Sequence, residues 1–310
     1  MSASKVILLC GGRLGIPILR TLVFSKQLAA IAIPDHCTEF IQQVQLLLKD
    51  ASLPIINVSK NDCTEKLQKA INDYDANMGI IVSFSFKLSP AVFNLTVNGF
   101  FNVHPGLLPQ YRGPDPVFQQ IKNQDIFGGI TIHKVDSDFD TGPIVLTDKI
   151  KIHPTDTHGI LTTRLSELAA TQVDILLKMA AFGIAIPCRQ QDETKAVYYK
   201  IQTANEVSIN WQTMDAATIV ALANACNPWN KGAVTQLNGI IIRLLEVEKR
   251  SIQLAEAVVP GTILSIDNEN ITVATMSKEL LAISFIYIEE GFLKSSSLLK
   301  MGIQIGMQFQ

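Results

Sequence analysis

Apolar residues fall in short blocks with helical spacing between them. Residues 5–10 are almost wholly apolar (Val6-Ile7-Leu8-Leu9-Cys10 after Lys5), the turn Gly11-Gly12-Arg13-Leu14-Gly15 follows, and 16–25 has a helical rhythm. A second block at 29–33 ends at Pro34-Asp35, ahead of an amphipathic helix over 39–49. Strand-like blocks at 54–58 and 78–84 bracket a helix at 63–71. Strands alternating with helices predict a parallel sheet joined by right-handed crossovers. Strands at 99–104 and 129–135, a helix at 116–122 and a long helix at 163–182 continue the series.

The periodicity lapses through 190–195, so 185–205 reads as a linker between a first domain of 1–184 and a second of 206–310. The second domain opens with a helix at 215–225 and turns to short strands at 234–237, 240–242, 262–266, 271–276 and 280–288. Asn238-Gly239 suits a tight hairpin, because both residues tolerate positive φ. The expected architecture is a Rossmann-like, doubly wound α/β sheet followed by a small OB-like β-barrel. No internal repeat interrupts it.

Composition narrows the function classes. With 310 residues, 47% hydrophobic, 17% charged and a net charge of −2, the chain is neither disordered nor collagen-like. No run approaches the roughly 18 apolar residues of a membrane helix, and Gly11 cuts the first block too short for a signal peptide. Five cysteines (Cys10, Cys37, Cys63, Cys188, Cys226) without a Cys-x-x-Cys pair suggest reduced thiols in the cytoplasm, and neither a disulfide framework nor a metal site.

Three motifs bear on chemistry. In the first glycine turn Gly12 and Gly15 stand in the register of a dinucleotide fingerprint, with Asp35 placed for a ribose hydroxyl, but Cys10 replaces its first glycine. An NAD-dependent oxidoreductase is therefore one alternative. Asp140-Thr141-Gly142 looks like an aspartic-protease motif, which needs two carboxylates sharing a proton; a single copy excludes it. The richest stretch is Asn102-Val103-His104-Pro105-Gly106-Leu107-Leu108-Pro109-Gln110-Tyr111-Arg112-Gly113. Asn102 and His104, two apart on a strand, point to one face, and Pro105-Gly106 stops the strand there. An amide beside an imidazole at a carboxyl strand end can stabilise an oxyanion, while neither is a good nucleophile. Such a pair suits attack by a substrate on a bound carbonyl. Asp136, Asp138 and Asp140 are candidates for the carboxylate that orients the imidazole. Either of the pair, taken alone, serves equally well as a strand-end residue satisfying backbone groups.

Together, Asn102-x-His104, Leu107-Leu108-Pro109-x-Tyr111-Arg112-Gly113, Gly129-Ile130-Thr131-Ile132 and Asp140-Thr141-Gly142-Pro143-Ile144 resemble the folate-dependent formyltransferases. Asn227-Pro228-Trp229 and Pro260-Gly261-Thr262 extend the likeness to the C-terminal domain of the branch that acts on methionyl-tRNA, so nearly the whole chain is covered. The resemblance implies a transferase carrying formyl from 10-formyltetrahydrofolate to a primary amine, without a metal. It implies a catalytic Asn102, a protonated His104 and Asp140, and a pterin pocket at Val82, Ser83, Phe84, Phe86, Leu88, Leu108, Asp136 and Asp138. Gly11, Gly12, Arg112 and Asp115 would face the acceptor. A relative that holds folate without transferring formyl is the non-catalytic alternative.

Charge bears on the acceptor. The tRNA branch carries a basic loop after the second strand, where 34–60 here offers only Lys49 and Lys60 against Asp35, Glu39 and Asp50. From Glu206 onward seven cations face ten carboxylates. RNA affinity rests largely on phosphate neutralisation, so a small-molecule amine, such as an amino sugar nucleotide or amino-acid-type metabolite, is the expected acceptor, with methionyl-tRNA as the alternative. A basic stripe of Lys231, Arg243, Lys249 and Arg250 is what would favour RNA.

Overall fold

The computed structural model describes residues 4–252 and 254–310. The chain forms two compact units, one of residues through Pro116 with Gly128–Ile150 and Thr162–Tyr199, the other of Val117–Phe127, Lys151–Leu161 and Lys200–Gln310.

The first unit is built on a seven-stranded sheet. Its elements in chain order are β1 (Val6–Cys10), α1 (Ile16–Phe24), β2 (Leu28–Pro34), α2 (Thr38–Leu47), β3 (Ile55–Val58), α3 (Cys63–Asp73), β4 (Met78–Val82), α4 (Pro90–Phe93) and β5 (Phe100–His104). After α5 (Pro116–Lys122), strands β6 (Phe127–Lys134) and β7 (Ile144–Lys151) and the long helix α6 (His158–Ala181) complete the series. Spatial order is β3-β2-β1-β4-β5-β6-β7. Pairing is parallel from β3 through β5 and antiparallel between β5 and β6. Order reverses between β1 and β4, which makes the carboxyl ends of these strands the switch point where such sheets bind ligands. Every residue of β1 and β4 is buried, as expected of strands covered on both faces. On one face Ile7, Leu9, Ala30, Ala32, Leu67, Ile71, Val92 and Phe100 form the core.

The predicted strands and helices recur, but the strand expected over 240–242 runs on to Arg250, the long helix begins at His158, and α4 and β13 were not expected. The strand expected over 78–84 ends at Val82, because Ser83 takes a left-handed φ of 51°. β7 went unseen: only its first residues are buried, and Thr147, Asp148, Lys149 and Lys151 give it a polar cast. The glycines of the first turn have a packing role. A Cβ on Gly11 would lie 2.6 Å from the Ser83 carbonyl, and one on Gly15 would lie 2.3 Å from Cys10 Sγ. Close approach of the β1 turn to the end of β4 accounts for these glycines without a pyrophosphate.

The second unit holds α7 (Ala216–Ala225) and strands β8 (Ala233–Leu237), β9 (Ile240–Arg250), β10 (Ile263–Ile266), β11 (Ile271–Ala274), β12 (Leu280–Ile288) and β13 (Gly291–Lys294). The Asn238-Gly239 turn has φ of 49° and 81°, as the β8–β9 hairpin requires. The sheet runs β10-β11-β12-β9-β8, with β13 on β12, and neighbouring strands pair antiparallel. Its two ends are joined by the C-terminal tail. Ile263 N donates to Met307 O (2.8 Å) and Phe309 N to Gly261 O (2.9 Å) at β10, while Gln236 and Gln310 exchange N–H···O bonds of 3.1 and 2.8 Å at β8. Thr235 Oγ1 adds a bond to Gln310 O, and Phe309 stacks on Trp211 at 5.4 Å. The tail thus closes the sheet into a barrel.

Phe309 is 2% exposed, so Phe309→Ala should destabilise by about 3–5 kcal/mol. Urea unfolding followed by tryptophan fluorescence checks this, since Trp211 reports on the same contact.

Candidate active site

Asn102 and His104 lie at the carboxyl end of β5, beside the switch point. Antiparallel pairing places Asn102 opposite His133 of β6, and His104 opposite Thr131. A loop from Val135 to Pro143 then returns Asp140 to the same place, with Asp140 in a left-handed conformation (φ 60°). The return is tight, because a Cβ on Gly142 would fall 1.7 Å from the Lys134 carbonyl.

Three buried side chains, His104, His133 and Asp140, meet the half-buried Asn102 there. Asn102 Nδ2 donates to Asp140 Oδ1 (3.3 Å) and to His133 Nε2 (3.0 Å). His133 Nδ1 donates to the Lys134 carbonyl at 2.9 Å, which leaves Nε2 as the acceptor. His104 Nδ1 is 3.4 Å from Asp140 Oδ1, and its Nε2 is 2.5 Å from the Tyr111 carbonyl. Asp140 Oδ2 accepts from Gly113 N at 2.9 Å. Of the three candidate carboxylates only Asp140 joins the pair. Asp136 accepts from Thr141 Oγ1, and Asp138 pairs with Lys87.

Burial alone would raise the Asp140 carboxyl, but the imidazoles of His104 and His133 and the Gly113 N–H outweigh it and bring the pKa down to about 2. His104 moves the other way. Burial lowers its pKa more than Asp140 and the Tyr111 carbonyl raise it, and His133 adds to the lowering. Nε2 donates to the Tyr111 carbonyl, so the ring gains or loses its second proton at Nδ1, beside Asp140.

The remaining predicted residues form two walls and a turn. Val82 is buried at the end of β4, Ser83 is exposed, Phe84 and Phe86 are half-buried edge-to-face at 5.5 Å, and Leu88 is buried. Lys87 Nζ bonds Asp138 Oδ1 at 3.0 Å, tying this segment to the Asp136–Asp140 loop. Leu108 is buried, its N–H bonded to Thr131 Oγ1 at 3.2 Å. Gly11 and Gly12 line a separate recess of about 520 Å³ with Arg13, His36, Cys37 and Gln43. Asp115 is half-buried before α5. Arg112, expected to face the acceptor, is 1% exposed and turned inward onto Gln191, Glu193 and Tyr198. Sequence reasoning missed His133 and Gln191. The period-2 spacing of Thr131 and His133 in a predicted strand was the available signal for the first; none existed for the second.

A polar cluster at the switch point of an α/β sheet, followed by an antiparallel barrel, defines a two-unit architecture of sheet and barrel. The chain matches the Formyl transferase family over residues 33–174 and its C-terminal domain over residues 200–292. It is 30% identical to a methionyl-tRNA formyltransferase of Stenotrophomonas maltophilia over 211 residues, 68% of this chain and 67% of the relative. To one of Dehalococcoides mccartyi it is 29% identical over 214 residues, 69% of this chain and 66% of the relative. Its fold resembles HypX of Aquifex aeolicus solved with tetrahydrofolic acid (TM-score 0.64, 14% identity), covering 96% of this chain and 47% of HypX; the chain thus spans about half of HypX. It also resembles the N-formyltransferase of Helicobacter canadensis solved with folinic acid and dTDP-3-aminofucose (TM-score 0.62, 13% identity), covering 91% and 99%.

The chain belongs to the formyl transferase family, one-carbon transferases whose donor is 10-formyltetrahydrofolate. Its residues suit that donor. Phe84 and Phe86 offer an aromatic wall, and the Lys87–Asp138 pair holds the two loops together beside the buried polar cluster. Among the described residues no group of side chains could hold a metal ion, and no helix is long and apolar enough to cross a membrane.

His104 should titrate below the ordinary imidazole value of about 6.5 by NMR, and Asp140→Asn should push it lower still by removing the carboxylate that favours the charged ring. Titration at or above that value in the unmodified protein would overturn the assignment.

Proposed function

We propose that the protein is a cytoplasmic N-formyltransferase in which Asn102, His104 and Asp140 are catalytic and methionyl-tRNA is the acceptor. The observation that carries the reaction is the Asn102–His104–Asp140 cluster at the carboxyl end of β5. The acceptor rests on the methionyl-tRNA formyltransferases among the relatives, matched over two thirds of their length.

In the reaction an amine nitrogen forms a bond to the formyl carbon and the bond to N10 breaks. One proton leaves the amine and one is taken up by N10, so no net acid or base is consumed. The chain's residues manage charge and protons. Asn102 Nδ2 donates to the formyl oxygen as negative charge develops there, exchanging one of its present acceptors. Neutral His104 takes up the amine's proton at Nδ1, where ionised Asp140 stabilises the imidazolium until the proton passes on. Val82, Ser83, Phe84, Phe86, Leu88, Leu108 and the Asp136–Asp140 loop, with Asp138 at its tip, hold the pterin. Gly11, Gly12 and Asp115 lie on the acceptor side.

A second reading, a small-molecule amine acceptor, draws on the electrostatics. Of the four cations that would make a basic stripe, Lys249 is paired with Glu279, and Arg250 lies 3.7 Å from Glu248. Only Lys231 and Arg243 remain together, flanking Tyr287: Lys231 sits over its ring at 4.2 Å, and Arg243 is its cross-strand neighbour.

His104→Ala should cut formyl transfer by about 10²–10⁴-fold. Thermal stabilisation by 5-formyltetrahydrofolate should persist, about 2.7 kcal/mol at 100 times the dissociation constant. Near-normal turnover in this variant would sink the mechanism. Transfer to methionyl-tRNA that falls steeply with salt supports the RNA acceptor. Transfer to an amino sugar nucleotide, with none to methionyl-tRNA, supports the second reading.

A further inference from the structure

The segment from Arg189 to Tyr199 crosses the site as a strap fixed at both ends. Arg189 and Ile144 exchange N–H···O bonds of 2.9 and 2.7 Å, and at the other end Arg112 N bonds Val197 O while Tyr199 N bonds Arg112 O. Between these anchors Gln191 Nε2 donates to the carbonyls of Asp140 and Gly142, both at 2.8 Å. The two bonds clamp the backbone on either side of Thr141, where Asp140 already holds a left-handed φ that a residue with a side chain adopts at a cost.

Gln191 is held in turn by Arg112. A guanidinium has five N–H groups. Here Nε and Nη2 donate to Gln191 Oε1 (3.1 and 2.8 Å), Nη2 and Nη1 to the two oxygens of Glu193 (2.6 and 2.9 Å), and Nη1 to Tyr198 Oη (3.3 Å). Five bonds match five donors. The ring of Tyr198 covers the guanidinium at 5.2 Å, and Tyr198 Oη donates to the Phe139 carbonyl beside Asp140. No N–H of Arg112 is left for a substrate. One residue further on, Gly113 N bonds Asp140 Oδ2, so Arg112 borders the catalytic carboxylate from both backbone and strap.

We infer that Arg112, Gln191 and Glu193 are positioning residues: the strap holds Asp140 against His104, and Arg112 acts through Gln191 rather than by touching the acceptor. The inference rests on the proposed formyl transfer for its meaning, but not for its test. Gln191→Ala removes the clamp. Glu193→Gln weakens it from a side chain that is 67% exposed, so the fold is retained even if Gln191→Ala does not fold.

The experiment is NMR titration of the His104 imidazole in the unmodified full-length protein and in Gln191→Ala, Glu193→Gln and Asp140→Asn. Both strap variants should move the titration to lower pH, in the direction of Asp140→Asn, with Gln191→Ala moving it further. Turnover should fall by up to about 100-fold, as for a reacting group displaced by an ångström, with the donor KM little changed. An unmoved His104 titration in folded Gln191→Ala or Glu193→Gln would overturn the proposal. So would Arg112→Lys raising only the acceptor KM while His104 titrates normally, because Arg112 would then be an acceptor contact. A wild-type protein that formylates no amine would defeat the proposed function, while the titrations would still decide the strap.

Discussion

A single buried carboxylate organises the catalytic unit. Asp140 is ionised inside the protein, where an unpaired charge costs several kcal/mol, and it persists because an amide, a backbone N–H and two imidazoles converge on it. The partners come from three segments: Asn102 and His104 from the end of β5, His133 from near the end of β6, and Gly113 from the loop after Tyr111. The carboxylate is thus what forces these segments into register. The same low-dielectric setting pulls the His104 pKa down, against the pull of Asp140. Proton affinity at His104 and local architecture have one electrostatic origin.

Much of this was legible in the chain. Continuous apolar runs such as 6–10 and 78–82 identify strands buried on both faces, and the Asn102-x-His104 spacing before Pro105 puts two polar groups on one face at a strand end. The Asn238-Gly239 hairpin was equally plain, since few residues other than these accept its dihedrals. What stayed hidden depends on distant pairing. Which of Asp136, Asp138 and Asp140 turns inward is decided by the left-handed bend at Asp140 and the crowding at Gly142. Gln191 lies in a segment with no periodicity and acquires its role from contacts with residues some 50 and 80 positions earlier. Arg112 misleads for a related reason. An arginine in a loop reads as a surface cation, and only the acceptors supplied by the strap reverse that.

The division of labour between the units fits a fold that serves several acceptors. The carboxyl edge of the parallel sheet supplies the polar cluster and the aromatic wall, whereas charge on the second unit is set by side chains outside them. In this chain two of its cations, Lys249 and Arg250, lie beside carboxylates. Fold alone therefore says little about the acceptor, and the side chains around the site say more.

The barrel's seam has a consequence for how the molecule is made. Gln236 and Gln310 are neighbours in space but 74 positions apart, so the ring closes only after nearly all of the barrel sequence has been synthesised. Contacts of such long separation form slowly, because loop entropy must be overcome before they reward the chain. Until then β8 and β10 are open edges with unpaired backbone groups, the form in which sheets associate with other chains. Closure of the ring is accordingly the barrel's own last step, and until it happens the β8 and β10 edges are its vulnerable surfaces.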